Sequence, residues 1–209
     1  MKILYLDTSS SYLYFGVVEN KQLLFEVKEK LSTDLSKYAL PKIVEKFEQY
    51  KIKPVDIQKI ILVNGPGSFT GIRIGVTIAK TYAWGLNIPI ITLSSLEAMA
   101  ISSEKNGDYI VPLIDARRGY VYAGIYNNKK EIILNDQYVN LNTLKIAIEA
   151  LSGSVTYITN DEFENLEYIP YDPNILEIVI RCKDRKETNP HSIDANYLKK
   201  TEAEEKISQ

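Results

Sequence analysis

Short apolar runs alternate with amphipathic stretches along the chain, a pattern that predicts a mixed α/β protein. Ile3-Leu4-Tyr5-Leu6, closed by Asp7, reads as a buried strand, and Thr8–Ser11 as a turn. Tyr12 to Val18 is a second strand, and Asn20-Lys21 turns into a third at Leu23 to Val27. Helical periodicity over Ser36 to Tyr50 and a strand at Ile60 to Asn64 follow. A glycine-rich loop then enters a helix running to about Leu86, and Pro89–Thr92 is a further short strand.

The pattern repeats. Asp7 to Lys21 aligns without gaps on Asp115 to Lys129, with six of fifteen positions identical (Asp7/Asp115, Tyr12/Tyr120, Tyr14/Tyr122, Gly16/Gly124, Asn20/Asn128, Lys21/Lys129). After the second match come a helix over Leu141 to Leu151 and a strand over Val155 to Thr159, so each half reads βββαβα. The polar stretch from Ser103 to Asp108 separates them. We expect two lobes meeting across a cleft, residues 1–105 and 106–209, the second ending in a charged, flexible tail from about Tyr197.

Composition narrows the chemistry. Lys+Arg 25 against Asp+Glu 27 leaves a formal charge of −2, so no global basic excess marks a nucleic-acid binder. One cysteine, Cys182, permits no internal disulfide. The N-terminus shows no signal-peptide pattern, and no apolar stretch reaches the roughly 18–20 residues of a membrane helix. A cytoplasmic protein is expected. The single histidine, His191, lies in a turn-like Asn-Pro-His-Ser context, which argues against both a His/Cys zinc site and a histidine base.

The most specific segment is Asn64-Gly65-Pro66-Gly67-Ser68-Phe69-Thr70-Gly71-Ile72-Arg73-Ile74-Gly75. It lacks the Gly-Lys-Ser/Thr of a P-loop, and its glycines are spaced one residue too long for a dinucleotide fingerprint. With Ser68 or Thr70 as cap, the loop is either an anion site at a helix N-terminus or simply a turn. Asp7, Thr8, Ser9, Gly65, Gly67 and Ser68 are the candidate nucleotide or anion loop. Gly71, Gly75, Ala79 and Ala83 recur every four residues in the following helix. That stripe admits a closely packed neighbour, which is either the protein's own sheet or another subunit. Ser94-Ser95-Leu96-Glu97 fits a capping box, with Glu97 reaching back. Arg117 and Arg118 beside Asp115 suit anion recognition or a local ion pair, and Arg73 carries the same ambiguity. The fifteen tyrosines fit half-buried strand positions better than base stacking.

These motifs, with Leu6-Asp7-Thr8-Ser9, Ser94-Ser95-Leu96-Glu97-Ala98 and Leu113 to Tyr122, resemble those of the bacterial TsaB (YeaZ) family. The resemblance spans most of residues 1 to 126. It implies the ASKHA (actin-like ATPase) fold of two duplicated lobes. It also implies a non-catalytic subunit that pairs with the related enzyme TsaD and, with TsaE, forms threonylcarbamoyladenosine beside the tRNA anticodon. Its first two helices would carry TsaD and homodimer contacts: Tyr38, Ile43, Phe47, Gly71, Ile72, Gly75, Val76, Ala79 and Ala83. Metal-binding histidines of the catalytic relative fall on Ser95 and Met99, so no metal site is expected. No cofactor is required by this chain, ATP or ADP belongs to the TsaD interface, and tRNA is reached only through the complex. Leu35-Ser36-Lys37 departs from the family's usual His-Ser-Glu. The alternatives are an independent ASKHA-type ATPase or phosphotransferase using Asp7 and Asp115 and, less favoured, a metalloprotease.

Overall fold

The computed structural model describes residues 1–104 and 107–199. Its elements run β1 (Lys2–Asp7), β2 (Tyr12–Glu19), β3 (Gln22–Lys30), α1 (Leu35–Gln49), β4 (Ile57–Val63), α2 (Phe69–Leu86), β5 (Ile90–Leu93) and α3 (Ser95–Ser102). Then come β6 (Tyr109–Asp115), β7 (Tyr120–Asn127), β8 (Ile132–Asn140), α4 (Leu141–Glu149), β9 (Val155–Ile158), β10 (Tyr168–Ile169) and α5 (Ile175–Cys182).

Two five-stranded sheets form, ordered β3-β2-β1-β4-β5 and β8-β7-β6-β9-β10. In each, the first three strands make an antiparallel meander, and the fourth and fifth add parallel to the first. The duplication read from the sequence is therefore a duplication of topology. Its register is not conserved: Asp7 pairs with Tyr14, whereas Asp115 pairs with Val121 rather than Tyr122. The second turn, with Arg117, Arg118 and Gly119 all at positive φ, closes one residue tighter and leaves Asp115 exposed where Asp7 is buried.

The expected βββαβα order holds in the first half and fails in the second. There β9 passes through a polar loop into β10, and no helix among the described residues takes the place of α2. Phe163 and Leu166 of that loop lie against the second core instead.

Alternation along the first sheet decides what covers each face. Leu4, Leu6, Leu13, Phe15 and Val17 point to α1 and α2, forming one core with Ile43, Phe47, Ala79 and Ala83. Ile3, Tyr5, Tyr14 and Val18 point the other way, onto Ala98 and Ile101 of α3 and onto Ile175, Ile178, Val179 and Cys182 of α5. So α5, although it lies in the second half of the chain, packs on the first sheet. Residues 187–197 continue along that lobe. Thr188 N–H donates to Ile90 O (2.7 Å), Ile193 is buried in the α1–α2 core, and Lys80 Nζ donates to Ile193 O (3.0 Å). The tail expected to be flexible from Tyr197 is docked through Tyr197, which stacks on Phe69; residues 200–209 lie outside the described residues. The remaining face of α3 packs Leu96, Met99 and Ala100 on Ile110, Tyr126 and Ile158 of the second lobe.

Candidate functional site

A cleft of about 550 Å³ lies between the lobes, bordered by Asp7, Ser9, Gly67 and Ser68 on one side and Asp115, Arg117 and Asp161 on the other. It gathers most of the loop residues singled out in the sequence, but their polar groups turn mainly inward. Asp7 Oδ1 accepts from both the backbone N–H (2.8 Å) and the hydroxyl (2.7 Å) of Ser9. Ser68 N–H donates to Ser9 O at 2.7 Å, and Ser68 Oγ caps α2 by accepting from Gly71 N–H. Thr8 is fully buried and donates to Gly71 O (2.7 Å). Gly67 is required by close approach at positive φ, since a Cβ there would overlap the Ser9 carbonyl. Gly65, also at positive φ, accepts Ser95 N–H through its carbonyl, and the preceding Asn64 receives Asn196 N–H.

Burial raises the Asp7 carboxyl pKa, against the lowering effect of the Ser9 donors. Asp161, raised for the same reason, accepts Asp115 N–H through Oδ2 (2.8 Å). Asp115 Oδ1 in turn accepts Arg117 N–H (2.9 Å). Of the two alternatives open for Arg117 and Arg118, anion recognition or a local ion pair, the ion pair does not form among the described residues.

The small-residue stripe requires a correction. Gly71, Ile72, Gly75, Ala79 and Ala83 face the protein's own sheet. A Cβ at Gly71 would overlap Thr8 O, and one at Gly75 would overlap Thr8 Oγ1. Ile43 and Phe47 are likewise core residues and Val76 packs against that core, so of the nine expected interface residues only Tyr38 is exposed. An i, i+4 stripe shows that something packs closely; the neighbour here is Thr8 and β4. The outward side of the two helices instead presents Leu40, Val44 and Phe69, all about half exposed. They border or adjoin an apolar groove of about 480 Å³ between α1 and α2, lined also by Ile74 and Ile78.

One residue at the lobe junction, Glu97, differs from expectation. Ser94 caps α3 by accepting from Leu96 N–H (3.2 Å), but Glu97 does not reach back; it pairs with Arg185 Nη2 at 2.7 Å. Ser95 Oγ donates to Pro66 O (2.6 Å), and Met99 is buried in the interlobe core. The two positions on which the resemblance places metal-binding histidines thus hold a hydrogen bond to the glycine-rich loop, from Ser95, and a core contact, from Met99. His191 is exposed, as expected, with its ring edge-on to Trp84. The sequence reading missed the Ser94 hydroxyl bond to Asp136 Oδ2 and the Tyr126 hydroxyl bond to Asp136 Oδ1 (2.6 Å). These join residues 42 and 10 positions apart, with no local pattern to announce them.

Two sheets of identical strand order, facing one cleft and sharing a helix layer, define an actin-like, ASKHA-type α/β protein. Residues 27–163 match the family model described as "TsaD: tRNA N6-adenosine threonylcarbamoyltransferase". A Bacillus subtilis protein named "tRNA threonylcarbamoyladenosine biosynthesis protein TsaB" is 32% identical over 99% of this chain and 97% of its own. A Buchnera aphidicola protein of the same name is 26% identical over 94% and 96%. The solved structure described as "YeaZ from Pseudomonas aeruginosa" superposes with a TM-score of 0.75 at 20% identity, covering 94% of this chain and 99% of that one. The chain belongs to the TsaB (YeaZ) family.

Proposed function

We propose that this chain acts in tRNA threonylcarbamoyladenosine biosynthesis as a non-catalytic subunit that binds and activates a TsaD-type enzyme through the outer face of α1 and α2. The observation that carries the reading is the exposed apolar surface of Leu40, Val44 and Phe69 around the α1–α2 groove. Contiguous apolar surface of this kind marks an interaction site. In isolation the same face joins two copies; TsaE is a further partner, and the work is cytoplasmic. Ser95 and Met99, engaged in packing, support a chain without the metal chemistry of its catalytic relative. A nucleotide, where one is present, belongs to the TsaD interface. The internal bonding of Asp7 and Ser68 weighs against an independent ATPase.

The test is co-purification of tagged chain with the TsaD-type protein of its own host. Leu40→Asp with Val44→Asp is expected to abolish recovery while leaving the far-UV circular dichroism and melting temperature unchanged. Undiminished recovery rules out this face. Stimulation of threonylcarbamoyl transfer to tRNA by the parent chain, lost in the double variant, tests the activating role.

A further inference from the structure

The geometry points to the mouth of the interlobe cleft as a single-stranded RNA surface, on which a base enters between the lobes while flanking phosphates rest on rim cations. Four cation–aromatic pairs occur among the described residues, and three have a member lining this one cleft: Lys30 over Tyr12 (5.7 Å), both of which line it, Arg73 over Phe69 (4.0 Å), through Phe69, and Lys199 over Tyr138 (5.3 Å), through Lys199. Each aromatic is extended by a second ring. Tyr12 stacks on Tyr14 (5.3 Å, 3°), Phe69 on Tyr197 (5.1 Å, 26°), and Tyr138 on Tyr120 (4.8 Å, 12°). Phe69, Tyr197 and Tyr120 are exposed.

Some surface cations elsewhere pair with carboxylates, as Lys42 does with Glu29 and Arg185 with Glu97. None of Lys30, Arg73, Arg117, Arg118 and Lys199 forms an ion pair among the described residues. The left-handed turn at Arg117 and Arg118 leaves both exposed, with Arg117 lining the cleft and Arg118 next to it in the chain. Cations beside exposed outer rings such as Tyr120 and Tyr197 are the combination that takes unpaired nucleotides, the rings stacking bases and the cations following phosphates.

Charge also sets the orientation. The carboxylates Asp7, Asp115 and Asp161 line the cleft, which repels a phosphate there and offers acceptors to the amino groups of a base. An acidic peptide meets the same repulsion, and a duplex has no free base faces to stack. This surface departs from the expectation that tRNA meets the chain only through its partner. It does not rest on the α1–α2 reading, although Phe69 borders both features; the test therefore uses second-lobe residues.

The experiment is fluorescence anisotropy of the full chain with a fluorescein-labelled single-stranded 12-nucleotide oligoadenylate RNA and with a duplex RNA of equal length, titrated from low to moderate salt. Saturable binding that prefers the single strand is expected. Arg117→Ala with Arg118→Ala should weaken it about tenfold and lower the slope of log K against log salt by about one. Tyr120→Ala should weaken it about tenfold without changing that slope, and Tyr120→Phe should restore it. Thermal melts establish that each variant is folded. Absence of saturable binding overturns the inference. So does equal affinity for duplex with no response to Tyr120→Ala, which would be generic polycation attraction. If the arginine variant instead loses a protein partner while RNA binding stands, the surface is a protein site and the inference fails. The Leu40→Asp, Val44→Asp variant should retain RNA binding, which separates failure here from failure of the partner reading.

Discussion

Thr8 accounts for glycine at positions 71 and 75. Its carbonyl lies where a Cβ of residue 71 would stand, and its hydroxyl occupies the same place for residue 75. Gly71→Ala is expected to destabilise the fold by about 1–3 kcal/mol through overpacking against backbone, and Gly75→Ala by less because a side chain can yield. Gly85, late in the same helix, has nothing within 4 Å of its would-be Cβ. Gly85→Ala should therefore stabilise by about 0.5–1 kcal/mol, the ordinary helix-propensity gain. Urea unfolding of the three variants at one pH checks the order. The loop's specificity as a motif was visible in the sequence, but its reason was not, because the overlap is with a residue more than sixty positions away.

Asp7 supplies a prediction of opposite sign from that of an ion-paired surface carboxylate, whose folded pKa is depressed. Burial raises its folded pKa, so the native state holds the proton more tightly than the unfolded chain does. Its contribution to stability is fullest below the ordinary carboxylate range and declines as pH rises through the raised folded value. Asn at this position keeps an acceptor for both Ser9 donors and carries no charge. The stability of Asp7→Asn relative to the parent should grow with pH from about 4 and level off above the folded pKa. Denaturant unfolding across pH 4–8 measures it; a parallel pH dependence of the two proteins would contradict the assignment.

At the scale of elements, nearly every strand and helix of the first half was legible, because alternation and helical period are local signals. Three features were not. The one-residue register slip at Asp115 comes from backbone conformation at Arg117 and Arg118, which a gap-free alignment does not express. The missing second counterpart of α2 is a loop whose Phe163 and Leu166 do the covering without helical spacing. The third is α5. Its eight residues are too short for periodicity alone to separate helix from strand, and nothing in them says which lobe they cover. Ile178 is fully buried against the first sheet. Ile178→Ala should cost about 2–5 kcal/mol in urea unfolding. An effect as small as that of a surface substitution would mean that α5 is not part of that core.

At the scale of the whole molecule, the two-lobe reading holds as topology and fails as a linear partition. A cut near residue 105 assigns α5 and residues 187–197 to the second lobe, yet they complete the first: α5 covers Tyr5 and Tyr14, and Ile193 enters the α1–α2 core. The chain thus leaves the first lobe through α3 and returns to it after building the second. Glu97–Arg185 (2.7 Å) ties α3 to the segment after α5, and Ser94–Asp136 ties the start of α3 to β8. A lobe that needs the far end of the chain does not unfold independently of what lies between. Trp84, the only tryptophan, sits on α2 beside His191 and reports the first lobe together with the returning segment. Its fluorescence and the far-UV circular dichroism, which averages both lobes, should follow coincident urea transitions. A fragment ending at residue 104 should not fold, since it would expose the apolar face that α5 covers. A cooperative, soluble 1–104 fragment, or a fluorescence midpoint distinct from the dichroism midpoint, would show that the returning segment is an accessory rather than part of the first core.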